Sequence, residues 1–256
     1  MQLSIALHGA AGAGVLVAPV VWPWALGAVA ANHLLLTLAG LWPRSTLLGP
    51  NLVRLPGDAV AQRRVAITID DGPNPEVTPR VLDLLDAAGA RASFFCIGHR
   101  ARQHPALCRE ITARGHRVEN HGDSHSRAFA AFGYARMHAD IAAAQAALAE
   151  ISGQQPRFFR PLGGLRRPFL DPVLARLDLR LACWTRRGFD SRESDPQRVY
   201  RRLAHGLHAG DILLLHDGHV ARTAQGEAVI LSVLTRLLQA IRGAGLRPVP
   251  LAESIA

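Results

Sequence analysis

Val65-Ala66-Ile67-Thr68-Ile69-Asp70-Asp71-Gly72-Pro73 is the stretch that decides the fold. Its first residues form an apolar, β-branched run of strand length, and Gly72-Pro73 ends it. Two adjacent carboxylates therefore stand at the C-terminal end of a buried strand. In folds built on parallel strands, that edge is where ligands bind. Neighbouring residues on an extended chain point to opposite sides, so Asp71 can hold a metal while Asp70 acts beside it. Taken alone, the stretch also reads as an Asp-Gly turn whose carboxylates cap the next helix. The rest of the chain decides between these readings.

Downstream, short apolar runs alternate with helical ones. Strands are predicted over 65–70, 92–97, 117–121, 157–160, 179–185, 211–216 and 246–251. Helices are predicted over 77–88, 100–114, 134–151, 168–177, 195–208 and 225–243. Gly89, Gly115 and Gly245 follow helices as C-terminal caps would. Strands that alternate with helices in this way define a parallel α/β structure, open or closed into a barrel.

The strand ends collect the chemistry. The first ends in Asp70-Asp71, the third in Asn120-His121-Gly122-Asp123-Ser124-His125, and the fourth in Phe159-Arg160-Pro161-Leu162-Gly163-Gly164. The fifth runs from Cys183-Trp184 to Asp190, and the sixth ends in His216-Asp217. His121 and His125 are four residues apart, a spacing that presents both imidazoles to one point if the segment is helical. With Asp71 they make a two-nitrogen, one-oxygen set suited to zinc or a similar divalent ion. The chain has 12 histidines, and His99, His104, His116, His205 and His208 lie away from this rim as surface or packing residues.

These runs, from Ile67-Thr68-Ile69-Asp70-Asp71-Gly72-Pro73 to Leu213-Leu214-Leu215-His216, resemble the five ordered motifs of the polysaccharide deacetylase family. That family is also called the NodB-homology or carbohydrate esterase family 4 group. The resemblance spans roughly residues 63–253 and implies a distorted (β/α)7 barrel. It implies that Asp70 is the general base, oriented by Arg160, and that Asp71, His121 and His125 bind the metal. It further implies that the Gly163 N–H faces the oxyanion and that His216, supported by Asp190, is the general acid. Leu162 and Trp184 would line the sugar groove. The metal expected is Zn2+, with Co2+ or Ni2+ as alternatives. This chain departs from the pattern at Gly163, where an aromatic is common, at Ser191, where Trp is common, and at Gly122, where Ser or Thr is common. The groove is therefore altered while the catalytic set is complete.

The N-terminal part is different. Residues 3–21 and 24–42 are apolar and lack Asp, Glu, Lys and Arg, and each is about long enough to cross a ~30 Å hydrocarbon core. Trp22, Trp24 and Trp42 fall where membrane interfaces are expected. The sequence predicts a membrane-associated helical hairpin over 1–42, a linker or extended ledge over 43–62, and a catalytic α/β domain over 63–256. A cleaved signal peptide is disfavoured because no basic n-region precedes the apolar run. Arg44, Arg54, Arg63 and Arg64 follow the second apolar segment, and the turn before it has none. If both segments span, the positive-inside rule places the catalytic domain in the cytoplasm at an inner membrane.

Net charge is +9 and every Lys-or-Arg position is arginine, yet aromatic residues are only 5% and interleave with no basic run. That combination excludes a nucleic-acid binder. Cys96, Cys108 and Cys183 are few and odd in number, which excludes a disulfide framework or a Cys-rich zinc site. The function expected is metal-dependent removal of an acetyl or formyl group from an amino sugar, most simply on a lipid-linked saccharide. The alternatives are a periplasmic peptidoglycan or exopolysaccharide deacetylase, and a membrane-anchored barrel that binds glycan without turning it over.

Overall fold

The computed structural model describes residues 2–255. Two apolar helices come first, α1 (Gln2–Val17) and α2 (Trp22–Leu41), then a short α3 (Gly57–Ala61). The alternating part begins with β1 (Arg64–Asp70), α4 (Thr78–Ala87), β2 (Ser93–Cys96), α5 (Gly98–Gln103), α6 (Pro105–Ala113) and β3 (Arg117–Asn120). It continues with α7 (Tyr134–Ser152), β4 (Phe158–Phe159), α8 (Leu170–Arg176), β5 (Arg180–Leu181) and β6 (Arg186–Arg187). The chain ends with α9 (Pro196–Ala204), β7 (Ile212–His216), α10 (Val229–Gly243) and β8 (Arg247–Pro248).

The strands lie in the order β5-β4-β3-β2-β1-β7-β6, with β8 beside the start of β1. Every pairing is parallel, so the C-terminal strand ends share one rim. The sheet curls into the incomplete (β/α)7-type barrel expected from the sequence. β1 sits near its centre and alternates as a strand buried on both faces must. Val65, Ile67 and Ile69 face the helices and join a large outer core with Val81, Leu82 and Leu234. Ala66 turns inward and packs with Phe95, Phe158, Trp184 and Leu214. Full burial of each large aliphatic side chain stabilises the fold by about 1.5–3 kcal/mol before entropy is counted.

Residues 43–62, which include α3, run along the sheet. Leu52 pairs with Ala182 as a parallel bridge, donating to Leu181 O at 3.0 Å and accepting from Cys183 N at 2.9 Å. Leu55 N donates to Gly210 O at 2.9 Å, and Leu55 and Ala59 are buried in the inner core. This strip covers the gap between β5 and β7.

Three expectations need correction. The helix predicted over 100–114 is two helices, because Pro105 lacks an N–H and holds His104 out of the α region at φ −129°, ψ 58°. The strand predicted over 179–185 pairs with β4 only at Arg180–Leu181, and the chain then crosses to pair with β7 at Arg186–Arg187. The first apolar helix ends at Val17 after 16 residues, about 24 Å, which is short of a ~30 Å hydrocarbon core. Pro19–Leu41, at 23 residues, is long and apolar enough to cross. α1 folds back on α2, with Asn32 Nδ2 donating to Ser4 Oγ at 2.8 Å and His8 Nε2 3.1 Å from His33 Nε2. The pair leaves Leu3, Leu16, Trp24, Leu34 and Trp42 exposed.

His116, one of the histidines set aside above, ties the fold to pH. It is fully buried, edge-on to Phe94, and its Nδ1 accepts from Ala92 N at 3.2 Å. Burial, with the Arg91 charge, lowers its pKa to about 4. Folded, it stays neutral; unfolded, it takes up a proton below about pH 6.5. Stability is therefore lost as pH falls from about 6.5 to 4, by roughly 3 kcal/mol from this group alone. Denaturant titrations of the unmutated protein and of His116→Gln across that window should show a smaller acid loss in the variant. Equal losses contradict the assignment.

Candidate metal and acid–base site

β1 delivers two carboxylates in different directions. Asp70 continues the inward alternation, whereas Asp71 turns out of the strand at φ 76°. Asp70 meets Arg160, a fully buried arginine at the end of β4. Arg160 Nη1 donates to Asp70 Oδ1 at 2.7 Å and to Thr68 Oγ1 at 2.8 Å. Its Nε and Nη2 donate to the carbonyls of Ala182 and Cys183, both at 2.9 Å, and its guanidinium lies 4.0 Å from the centre of the Phe95 ring. Held from four sides, the guanidinium fixes where Asp70 points.

Asp71 meets the two histidines. Its Oδ1 lies 3.1 Å from His121 Nε2 and 2.9 Å from His125 Nε2. The ligand atoms of Asp71, His121 and His125 all lie within 4.8 Å of one another. His121 Nδ1 bonds Arg160 O at 2.7 Å, a contact only an N–H can satisfy, so in the neutral ring Nε2 carries the lone pair. Asp71 Oδ1 and His125 Nε2 are buried and make no hydrogen bond of proper geometry despite their closeness. Lone pairs that converge in this way, from one oxygen and two nitrogens, fit a divalent cation of the zinc type. Burial raises the Asp71 pKa, but the neighbouring imidazoles of His121, His125 and His219 outweigh it and hold the group well below the usual carboxylate range.

His121 and His125 do not converge on a helical turn, as their spacing suggested. Residues 121–125 form a loop with Gly122 at φ 80° and His125 at φ 47°. Asn120 Oδ1 accepts from Gly122 N at 2.8 Å, and the Asp140 carboxylate accepts from the N–H groups of Asp123 and Ser124, each at 3.1 Å. A Cβ on Gly122 would stand 2.9 Å from Asp140 Oδ2, which explains glycine where the resemblance led one to expect Ser or Thr.

His216 lies beside Asp70 in the β1–β7 register. Asp190 holds it twice: Oδ1 is 2.8 Å from His216 Nδ1, and Oδ2 accepts from the His216 backbone N at 2.7 Å. This leaves Nε2 as the free end of the ring. Burial lowers the His216 pKa, but the Asp190 charge and hydrogen bond, with Asp71 and Asp70, outweigh it and lift it to about 9. A protonated imidazole thus stands across from an oriented carboxylate.

Gly163 sits in the turn Leu162–Gly164 at φ 62°. The N–H groups of Gly164 and Leu165 are taken by Pro161 O and Leu162 O, while no backbone bond uses that of Gly163 among the described residues. Leu162 is half-buried on the same turn. Trp184, expected along the groove, is only 4% exposed and lies beneath the turn, where a Cβ on Gly164 would meet its Cη2 at 2.8 Å. It is floor rather than wall, because its ring packs in the inner core.

Two neighbours escaped the sequence reading. His219 Nδ1 lies 3.2 Å from Asp71 Oδ2, and its ring stacks on His125 at 5.1 Å. Arg100 Nη1 donates to Asp71 O at 2.8 Å. The signal for His219 was its place three residues after His216, on the same strand end.

An incomplete parallel barrel with an Asp-His-His cluster on its rim, flanked by a held carboxylate and a held imidazole, defines a hydrolase of the metal-dependent amidase class. Comparison with known proteins gives the family. The profile described as Polysaccharide deacetylase matches residues 57–182. The chain is 32% identical over 202 residues to a chitooligosaccharide deacetylase of Azorhizobium caulinodans, covering 74% of this chain and 94% of that protein. It is 29% identical over 194 residues to a peptidoglycan-N-acetylglucosamine deacetylase of Bacillus cereus, covering 75% and 88%. Among solved structures, a family 4 carbohydrate esterase from Streptomyces lividans in complex with acetate superposes with a TM-score of 0.65 at 30% identity, covering 72% of this chain and 91% of that one. A carbohydrate esterase family 4 pseudoenzyme from Bacillus anthracis shares the fold, with a TM-score of 0.70 at 19% identity over 79% and 68%. The chain belongs to the polysaccharide deacetylase family, and it is a hydrolase of that divalent-metal-dependent class.

Proposed function

We propose that this protein is a zinc-type N-deacylase that removes an acetyl or formyl group from an amino sugar of a membrane-held saccharide. The observation that carries the chemistry is the convergence of Asp71, His121 and His125 between Asp70 on one side and His216 on the other. When bound there, a divalent ion would lower the pKa of water and polarise the acyl carbonyl. Asp70, kept in line by Arg160, takes the proton from the attacking water. The Gly163 N–H donates to the oxyanion, an interaction worth about 3–4 kcal/mol where such donors have been removed. His216, charged through Asp190, gives its proton to the departing amine, without which the acyl group would be recaptured.

The membrane part of the proposal rests on how α2 ends. Arg166 N donates to Gly40 O at 2.9 Å, and Arg166 Nη1 donates to Ser45 O at 2.8 Å. A Cβ on Gly164 would meet Pro43 Cβ at 2.6 Å. The turn that carries Gly163 is thus tied to the last residues of the apolar helix, which supports a catalytic rim close to a bilayer. The arginines after α2 favour a cytoplasmic face, and a lipid-linked saccharide is the substrate such a placement suits. The similarity to a chitooligosaccharide deacetylase and a peptidoglycan-N-acetylglucosamine deacetylase supports a second reading, a deacetylase of peptidoglycan or an exopolysaccharide, for which the domain would face the periplasm.

Metal-stripped full-length protein in detergent, reloaded with zinc, cobalt or nickel, tests the proposal. Release of acetate or formate from lipid-linked and free N-acyl sugars is the readout. The lipid-linked substrates should be preferred, and no release with any metal ends the proposal. A topology reporter fused to the C-terminus separates the two faces.

A further inference from the structure

Arg187 is an arginine without an acid. In the β6–β7 register it lies opposite Leu214, which packs in the inner core, so its side chain enters the barrel on the face that carries Asp70 and His216. Its guanidinium stands 5.1 Å from the Trp184 ring centre on one side and 4.9 Å from that of Phe189 on the other. The Trp184 ring also receives Arg160 at 5.8 Å, and Phe95 receives Arg160 at 4.0 Å. Arginine and aromatic side chains therefore alternate in one pillar: Phe95, Arg160, Trp184, Arg187, Phe189. At the inner level Arg160 has its carboxylate, Asp70. At the outer level Arg187 makes no ion pair and no side-chain hydrogen bond among the described residues, and its Nε is buried without a partner.

The acids within electrostatic reach are already engaged. Burial lowers the Arg187 pKa, and the charges of Asp70, Asp190 and Asp71 act against that fall. Yet Asp70 Oδ1 is held by Arg160, both Asp190 oxygens by His216, and Asp71 by the histidines. A half-buried guanidinium fixed between two rings, with spare donors, is built to receive a planar or tetrahedral oxyanion in two-pronged fashion. Phe189 is 45% exposed at φ 63°, so the pillar opens to solvent at the rim. A solvated surface arginine would have neither the flanking rings nor a dry Nε.

We propose that Arg187 is a substrate-recognition residue that binds an anionic substituent, phosphate or carboxylate, carried by the saccharide near the acylated amine. The inference deepens the deacylase reading and rests on it for the saccharide. It makes the enzyme selective for a charged sugar over a neutral one.

Calorimetric binding to the zinc-loaded full-length protein in detergent tests it, with N-acetylglucosamine, N-acetylglucosamine 1-phosphate and N-acetylmuramic acid as probes. The first probe is neutral, and the other two separate phosphate from carboxylate as the source of charge. The unmutated protein should bind at least one charged sugar about tenfold or more tighter than the neutral one. In Arg187→Gln that ratio should fall to about one, and Arg187→Lys should retain part of it. Unfolding midpoints of both variants check the fold. A ratio near one in the unmutated protein, or an unchanged ratio in Arg187→Gln, overturns the proposal. The readout is binding, so a preserved ratio without any acyl release would count against the deacylase reading and leave this one standing.

Discussion

Replacement of Asp70 by Asn should lower the deacylation rate by about 10³-fold while the protein keeps its metal. Asn has nearly the same volume and can still accept a hydrogen bond from Arg160 Nη1, which now lies 2.7 Å from Asp70 Oδ1. It cannot take a proton from water at neutral pH. The proposed metal ligands are the next residue and two histidines on another loop, so their lone pairs are untouched. Acetate release and metal content measured on one preparation check both halves. A variant that loses metal and activity together would make Asp70 a ligand or a structural prop. A variant with near-normal turnover would remove it from catalysis.

The largest effect on stability is expected at Arg160. Arg160→Met keeps much of the side-chain length and removes every donor. Asp70, 3% exposed, then becomes an uncompensated buried carboxylate, and the carbonyls of Ala182 and Cys183 lose the bonds that close β4 onto the following strand. Removal of one member of a buried pair typically costs 3–5 kcal/mol, which is a large part of the about 5–15 kcal/mol that holds a domain folded. Denaturant unfolding should show a loss of that size, with deacylation falling well beyond the fraction unfolded because Asp70 is no longer aimed. A loss near zero would mean that Asp70 takes up a proton or finds water, and that the pair orients without stabilising.

Much of this was legible because strand ends are local. The apolar run before Asp70 names its own terminus, and His216, Arg160 and His121 each close a comparable run, so the rim assembles from sequence order once the strands are parallel. What stayed hidden depends on partners distant in the chain. Arg180–Leu181 and Arg186–Arg187 look like one strand, and only pairing with β4 or with β7 divides them. Spacing suggested a helical turn for His121 and His125, but Asn120 and Asp140 shape a loop there, a competition between side-chain and backbone bonds that periodicity does not report. Trp184 carries a groove residue's chemistry and sits in the core, because the turn above it is glycine held against Pro43. His219 takes its meaning from Asp71 and His125 on other strand ends, and Arg187 from the register with β7 that turns it into the barrel; neither relation is written in the local sequence. Cys96, Cys108 and Cys183 are buried and free.

One divalent ion, held by Asp71, His121 and His125, is the centre of the proposed chemistry. Its most direct test is equilibrium dialysis of metal-stripped protein against zinc, with bound metal counted and acetate release assayed on the same samples. The unmutated chain should take up one tight ion and recover activity with it. A His121→Gln, His125→Gln double variant with a normal unfolding midpoint should take up none and release nothing. An ion retained at full affinity by the double variant, or acetate release undiminished in the stripped protein, would contradict it.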